Sequence, residues 1–433
     1  MKSYPSIVKK RLTHILHEMA QKPELFVKNP GKDFTRKRKL TFEAMIRLLL
    51  SMGGNSICKE LLEANRYHVN TATASAFIQQ RGKLLPFALG FLLHEFTQSY
   101  KEIKTYRGYR LCAVDGSDLH IPTNPKDSAS YFENHPGEKG FSLLHLNTLY
   151  DLCNRMYLDT CIQARRNANE HHALTEMVDR CAIGDPVILV ADRGYESYNN
   201  FAHIEQKGWN YVIRVRDNYG IISCLTLPDL DEFDETYSLV LSRKQTLEIK
   251  TNKAKYRFLP SNTTFDFMDL HFQPYYPITL RVVRFRIPDG SCQTVITNLD
   301  PKAFPASQIK EIYKTRWGIE TSFRELKYAI GLLNFHAKKT EYIEQEIFAN
   351  LILYNFSAMI TSHVAIGQRA SHCAYQVNFT AAIYICRYFF SHNILASHVE
   401  ALIQKNILPV RPGRASKRNL SSKSAVSFLY RVA

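Results

Sequence analysis

Apolar residues recur at helical spacing over residues 40–52, stop at Gly53-Gly54-Asn55, and resume as a second short helix over 56–64. Thr71 is placed to cap a third helix, carried through Ala76, Phe77 and Ile78 to Arg81. Residues 1–105 therefore read as a helical unit. Helix, glycine turn and helix admit two readings: a helix-turn-helix with Gln79, Gln80, Arg81 and Lys83 facing nucleic acid, or an ordinary bundle. The period changes near Tyr106. Apolar runs at 111–114, 141–150 and 156–163 predict strands, the last two joined by a hairpin turn over 151–154. Next come a helix capped by Asn169, a strand at 187–191, a helix at 198–207 and a strand at 209–215. That order predicts a mixed α/β sheet, antiparallel in its first three strands and parallel in the later ones. From 221 to 299 the pattern is all-strand, at 238–241, 246–249, 280–287 and 294–299. Residues 307–330 predict one long helix closed by Gly331, and the chain stays helical and apolar to about Cys386.

Three units follow: a helical domain over 1–105, an α/β domain over 106–370 interrupted by the β-rich insertion 221–299, and a helical region over 371–433 that ends in a basic tail. Residues 347–368 carry no Asp, Glu, Lys or Arg and are long enough to span a bilayer, but Asn350, Asn355, Ser357 and His363 make them a buried core helix.

Composition sharpens the picture. With 45% hydrophobic and 12% aromatic residues, the chain has material for a core and is not disordered. Lys and Arg number 56 against 40 Asp and Glu, so the net charge of +16 calls for a polyanionic partner. No amphipathic basic helix dominates, which favours nucleic acid over an anionic membrane. The run Thr35-Arg36-Lys37-Arg38-Lys39 is a candidate phosphate contact. Nine scattered cysteines without a C-x-x-C pair fit a reducing cytoplasm and neither a disulfide framework nor a zinc ribbon. The amino-terminal residues lack the apolar run of a signal peptide. A cytoplasmic protein with no membrane association is expected. Missing P-loop, G-x-G-x-x-G, H-E-x-x-H and G-x-S-x-G patterns argue against nucleotide hydrolysis, dinucleotide redox, zincin and serine-hydrolase chemistry.

Two acidic residues share one context. Asp115 in Ala-Val-Asp-Gly and Asp192 in Val-Ala-Asp-Arg-Gly each end a short buried strand, where ligand sites of parallel sheets lie. The glycines beyond them, Gly116 and Gly194, are expected to turn the backbone away and leave room for a substrate. Asp118 and Glu325 are fallback carboxylates. The third acid sits on the helix over 307–330. At about 100° per residue, Arg316, Glu320 and Lys327 fall within roughly 60° of Tyr313, while the apolar Ile312, Ile319, Phe323, Leu326 and Ile330 fill a neighbouring stripe. The helix can thus bury one face and show a polar row at its edge. Three carboxylates brought together repel one another unless a cation lies between them, and oxygen-only ligands select Mg²⁺ or Mn²⁺. Two such ions suit phosphodiester chemistry, with Tyr313, Arg316 and Lys327 holding backbone phosphates.

The spacing Tyr-x2-Arg-x3-Glu-x6-Lys, present as Tyr313, Arg316, Glu320 and Lys327, resembles the signature of the cut-and-paste DDE transposases of bacterial insertion sequences. The element order from 111 to 330 is similar to their ribonuclease H-like catalytic domain, including the β-rich insertion in the 320 − 192 = 128 residues between the second and third acids. The resemblance implies that Asp115, Asp192 and Glu320 hold two Mg²⁺ (or Mn²⁺) and that Tyr313, Arg316 and Lys327 grip the phosphates of the transposon ends. It implies double-stranded DNA as partner, terminal inverted repeats and target alike, and a homodimer that synapses two ends. Water would nick one strand, and the freed 3′-hydroxyl would form a hairpin that reopens before joining target DNA. The family holds a flipped base on an aromatic of the insertion, typically Trp. Here Trp209 and Trp317 both lie outside it, which leaves that task to a Phe or Tyr. The alternatives are a metal-dependent nuclease on the same fold without strand transfer, and a silent DNA-binding regulator derived from a transposase. The presence of all three acids counts against the last.

Overall fold

The computed structural model describes residues 3–410 apart from 37, 134, 136, 138, 218, 219 and 367–373, so the basic tail from Arg411 lies outside the described residues. Five helices open the chain: α1 (Tyr4–Gln21), α2 (Phe42–Ser51), α3 (Ile57–Ala64), α4 (Ala74–Arg81) and α5 (Phe87–Gln98). Thr41, Ser56 and Thr73 cap α2, α3 and α4, each accepting a backbone N–H three residues on. The expected cap Thr71 instead donates its hydroxyl to the His68 carbonyl, which closes the preceding turn and starts the helix two residues later.

The sheet is built from β1 (Arg110–Ile121), β2 (Tyr131–Phe132), β3 (Phe141–Asp151), β4 (Met156–Ala164), β5 (Val187–Ala191), β6 (Asn210–Val215), β7 (Phe233–Ser242), β8 (Tyr256–Phe258), β9 (Tyr275–Arg286) and β10 (Cys292–Thr297). Helices α6 (Glu170–Arg180) and α7 (Tyr198–Gln206) precede β5 and β6. The central order is β4-β3-β1-β5-β6, and only β3 runs against its neighbours there. The insertion does not form a sheet of its own. β10, β9, β7 and β8 continue the same sheet beyond β6. It is also not all-β: the strand expected at 246–249 is the short helix α8 (Leu247–Thr251), because the Thr246 hydroxyl accepts the Ile249 N–H as a helix cap. The arginines of β9 are satisfied within the insertion and by Asp217 just before it. Arg281 is buried against Asp234 and the Leu299 carbonyl, and Arg284 meets Thr294 and Asp217.

The expected long helix is broken. α9 (Ala306–Lys314) and α10 (Trp317–Arg324) are separated at Thr315-Arg316, and Glu325–Ile330 continue as a π-helical turn. At the break the Thr315 hydroxyl donates back to the Ile312 carbonyl, and backbone bonds tighten to three-residue spacing. Gly331, with φ of 96°, closes the turn in the left-handed region, as its position predicts. Among the described residues there follow α11 (Thr340–Thr361), β11 (Tyr375–Val377), α12 (Phe379–Ser391) and α13 (Ala396–Lys405), with β12 (Ile407–Pro409) pairing back on β11.

From Ile347 onward α11 carries no charged residue and is buried almost all round, whereas its first turns carry Glu341, Glu344 and Glu346. Among the described residues no helix is long and apolar enough to cross a membrane. One core joins α1, α2 and α5 to α11, α12 and the outward face of β1, β3 and β4. Within it, Asn355 is satisfied on both sides, accepting the Tyr157 N–H and donating to the Tyr157 carbonyl and to Thr97, so α11 is pinned between β4 and α5.

Candidate active site

Side-chain parity along the strands decides what can meet. On β1, Leu111 packs with α9 while Cys112 and Val114 pack toward α6 and α7, so Asp115 belongs to the α9–α10 face. On β5, Ile188 and Val190 share the α9 cluster, which puts Asp192 on the same face. The parallel register pairs Ala113 with Val190, and two residues further on that offset sets Asp115 beside Asp192. The two aspartates therefore leave neighbouring strands at one level and toward one helix. The Asp115 carboxylate accepts the Gly116 N–H at 2.9 Å, and Asp192 accepts the Gly194 N–H at 2.8 Å. Burial pushes the Asp115 carboxyl up to about 7, with the charges of Asp192 and Glu320 adding to the effect and the Gly116 amide and Arg316 opposing it.

Glu320 stands on α10, half-buried, with one oxygen 2.8 Å from Arg316. The Arg316 guanidinium also lies over the Tyr313 and Trp317 rings. Tyr313 is not at a polar edge. It is buried in the cluster of Leu111, Ile188 and Val190, on the inward stripe of α9 with Ile309 and Ile312. Lys327, on the π turn, donates to the Ser117 hydroxyl at 2.7 Å and the Asp118 carbonyl at 2.9 Å, tying the glutamate helix to β1. Burial lowers its pKa. The donor set is all oxygen, and the mutual repulsion felt at Asp115 is what a hard divalent cation relieves. The three carboxylates are nevertheless not gathered into a ready cage: among the described residues no group of three His, Cys, Asp or Glu side chains is set to hold a metal ion.

The fallback carboxylates have partners of their own. Glu325 binds Arg155 and Tyr354. Asp118 binds Arg165 and His145. His145 is a residue the sequence did not single out. It is buried, with Nδ1 2.6 Å from Asp118 and Nε2 2.9 Å from Glu170. No local pattern links a strand histidine to a helix-start glutamate 25 residues away. Burial disfavours its charge, but the two carboxylates overcome this and lift it to about 9. The folded value lies above the unfolded value of about 6.5, so the stabilisation is complete below that pH and fades as pH rises through about 9. The melting temperature should therefore fall between pH 6.5 and 9.5 more steeply in the parent than in His145→Gln; parallel curves would remove the imidazolium from the clamp.

Gly116 has a different task from the one its position suggests. A Cβ there would lie 2.4 Å from His145 Nε2 and 2.7 Å from Glu170 Oε1, so the missing side chain makes room for the clamp. Gly116→Ala should cost about 1–3 kcal/mol in urea unfolding, and a neutral result would show that the clamp yields freely. In the insertion, the most exposed aromatic, Phe272, precedes the start of the twelve-residue β9, whose far end lies alongside the carboxylate edge through β10 and β6. Phe272 is thus remote from Asp192. Arg81, expected to face DNA, is 1% exposed and bonded to Glu346 and Gln345, and Gln80 beside it is buried too.

The chain has relatives among known proteins. Residues 106–356, more than half of the chain, match the family described as "Transposase DDE domain". The chain is similar to the transposase InsG for insertion sequence element IS4 of Escherichia coli (strain K12), at 22% identity over 340 residues, 74% of this chain and 70% of that relative. It is also similar to the transposase for insertion sequence element IS231B of Bacillus thuringiensis subsp. berliner, at 20% identity over 56% of this chain and 54%, about half, of that relative. Among solved structures, a piggyBac transposase synaptic complex with hairpin DNA aligns at a TM-score of 0.46 and 12% identity, covering 95% of this chain and 87% of that one. The matched segment runs from just before β1 to well past the glutamate helix, and on it the chain belongs to the DDE transposase family of insertion sequences.

Proposed function

We propose that this transposase binds the inverted-repeat ends of its element, cleaves them and joins the 3′-hydroxyl ends to target DNA, using a ribonuclease H-like core in which Asp115, Asp192 and Glu320 are the catalytic carboxylates. The observation that carries the reading is the shared level and shared face of Asp115, inside β1, and Asp192, just past the end of β5, opposite the helix of Glu320. Asp115 and Asp192 would hold divalent cations, two Mg²⁺ or Mn²⁺, with Glu320 joining them. Bound there, the ions supply activation of the attacking oxygen and stabilisation of the leaving one.

Arg316 gives the chain a way to couple DNA to that assembly. Its guanidinium neutralises Glu320 in the free protein and is equally suited to a DNA phosphate. A phosphate that draws Arg316 away leaves Glu320 available to its fellow carboxylates. Lys327 acts next to it on the backbone of the transposon end, and the buried Tyr313, whose ring lies under the guanidinium, supports Arg316 in that grip. An open cavity of about 590 Å³ beside the Asp192 turn, with Arg193, Arg216 and Arg257 in its wall, extends the basic surface along which DNA would run. The amino-terminal helices would recognise the ends, and two copies would pair them in a cytoplasmic homodimer.

Strand transfer tests the reading. A labelled DNA end with a free 3′-hydroxyl, incubated with the protein, Mg²⁺ and supercoiled plasmid, should become covalently joined to the plasmid. Products that are nicked and never joined would favour a nuclease.

A further inference from the structure

Six buried side-chain nitrogen or oxygen atoms among the described residues lack a hydrogen-bond partner, and four belong to the carboxylate edge. Thr148 is the register partner of Asp115, and Asn147 that of Gly116. Tyr195 closes the turn after Asp192, and Asn200 donates to the Tyr195 carbonyl. A buried hydroxyl without a partner costs about 1–3 kcal/mol, and folds retain such groups where something else completes the bond.

Tyr195 is the sharpest case. It is 1% exposed, its hydroxyl is unpaired, and burial first, then the charges of Glu170, Asp115 and Asp192, keep its phenol protonated. Glu170 closes the same space from α6. One oxygen is held by His145, and the other lies 3.6 Å from where a Cβ on Gly194 would be, next to Asp192. His145 is itself fixed by Asp118, which Arg165 holds in turn. A tyrosine that only filled the core could lose its hydroxyl without penalty; one that serves a ligand could not.

Resting on the transposase reading, we propose that Tyr195 Oη donates a hydrogen bond to an oxygen that enters the site with DNA, either the attacking water or a phosphodiester oxygen. Tyr195 is then a substrate-contacting residue, and Glu170 and His145 are positioning residues that hold the wall behind that oxygen. No bond is made or broken by these three side chains.

Tyr195→Phe provides the test, with parent and Asp192→Ala in parallel, on duplexes carrying the terminal sequences that flank the reading frame. In urea the variant should unfold no earlier than the parent, because only an unpaired buried hydroxyl is removed. It should bind the duplex as the parent does and nick it at least about tenfold more slowly, the worth of one hydrogen bond in the transition state. Joining of pre-cut 3′-hydroxyl ends separates the two sources of the oxygen: it slows equally for a phosphodiester oxygen and stays parental for water. Glu170→Gln should lower kcat for nicking and leave KM for the duplex unchanged, whereas a merely structural Glu170 would lower stability and spare kcat. Nicking by Tyr195→Phe at the parental rate, or earlier unfolding, overturns the proposal. A parent as inactive as Asp192→Ala overturns the transposase reading itself.

Discussion

Replacing Asp115, Asp192 or Glu320 with alanine is expected to lower Mg²⁺-dependent end cleavage by about a thousandfold or more, near 4 kcal/mol of transition-state stabilisation, without loss of DNA binding. The expectation follows from placement. Two of these groups leave adjacent parallel strands at the same register, and the third faces them from α10. None is engaged in holding the fold together: Asp115 and Asp192 bond only to neighbouring glycine amides, and Glu320 only to Arg316 one turn away. Binding should even separate the three. Glu320→Ala frees Arg316 for a phosphate and should bind duplex at least as tightly as the parent, with a steeper salt dependence. Asp115→Asn removes a buried charge that two like charges oppose, and should unfold no earlier than the parent while being inactive. Gel-shift titrations at two salt concentrations, beside a cleavage assay, check all of this. A variant that cuts at the parental rate was not carrying a catalytic carboxylate.

Much of this edge was legible in the sequence because it is local. The run before Asp192-Arg-Gly announces a strand end and a turn, as β5 has it, whereas the end expected at Asp115-Gly116 is absent because β1 runs on to Ile121; period-two alternation still fixes the face of both aspartates. The glutamate helix was legible as amphipathic, but its break was not. At Thr315-Arg316 the backbone bonds tighten and divide the helix into α9 and α10, and Tyr313 falls on the buried stripe of α9 with Ile309 and Ile312. What stayed hidden was long-range. His145 and Glu170 lie on a strand and a helix start with nothing in spacing to join them, and Gly116 reads as a turn residue until the imidazole behind it is seen. Arg81 shows the same limit from the other side. Its sequence context, the last turn of a polar helix in a basic chain, looks like a DNA-facing position, yet its partners are more than 260 residues away.

That ion pair yields the second large effect. Arg81 of α4 donates to Glu346 at 2.8 Å, to Gln345 at 2.8 Å and to the Tyr342 carbonyl, all on α11, and both charges are shut away from water. The fold is therefore expected to lose about 3–5 kcal/mol when either partner is truncated, since the survivor remains buried and charged. The two truncations should differ. Without Arg81, Glu346 keeps His336, whose backbone N–H and ring both reach its second oxygen, and it can also take up a proton. Without Glu346, the guanidinium cannot neutralise itself. Glu346→Ala should thus unfold at lower urea than Arg81→Ala, and the gap should narrow at high pH, where protonation no longer helps Glu346. The double variant Arg81→Met with Glu346→Leu, which fills the space with apolar atoms, should be more stable than either truncation. If the double variant instead lost the sum of the two, the pair would be a net source of stability, and α4 would owe its place on α11 to charge. If it recovers, packing of the amino-terminal helices on α11 supplies the stability and the pair selects the angle at which they sit, which fixes how any end-recognition surface they carry is presented to the carboxylate edge.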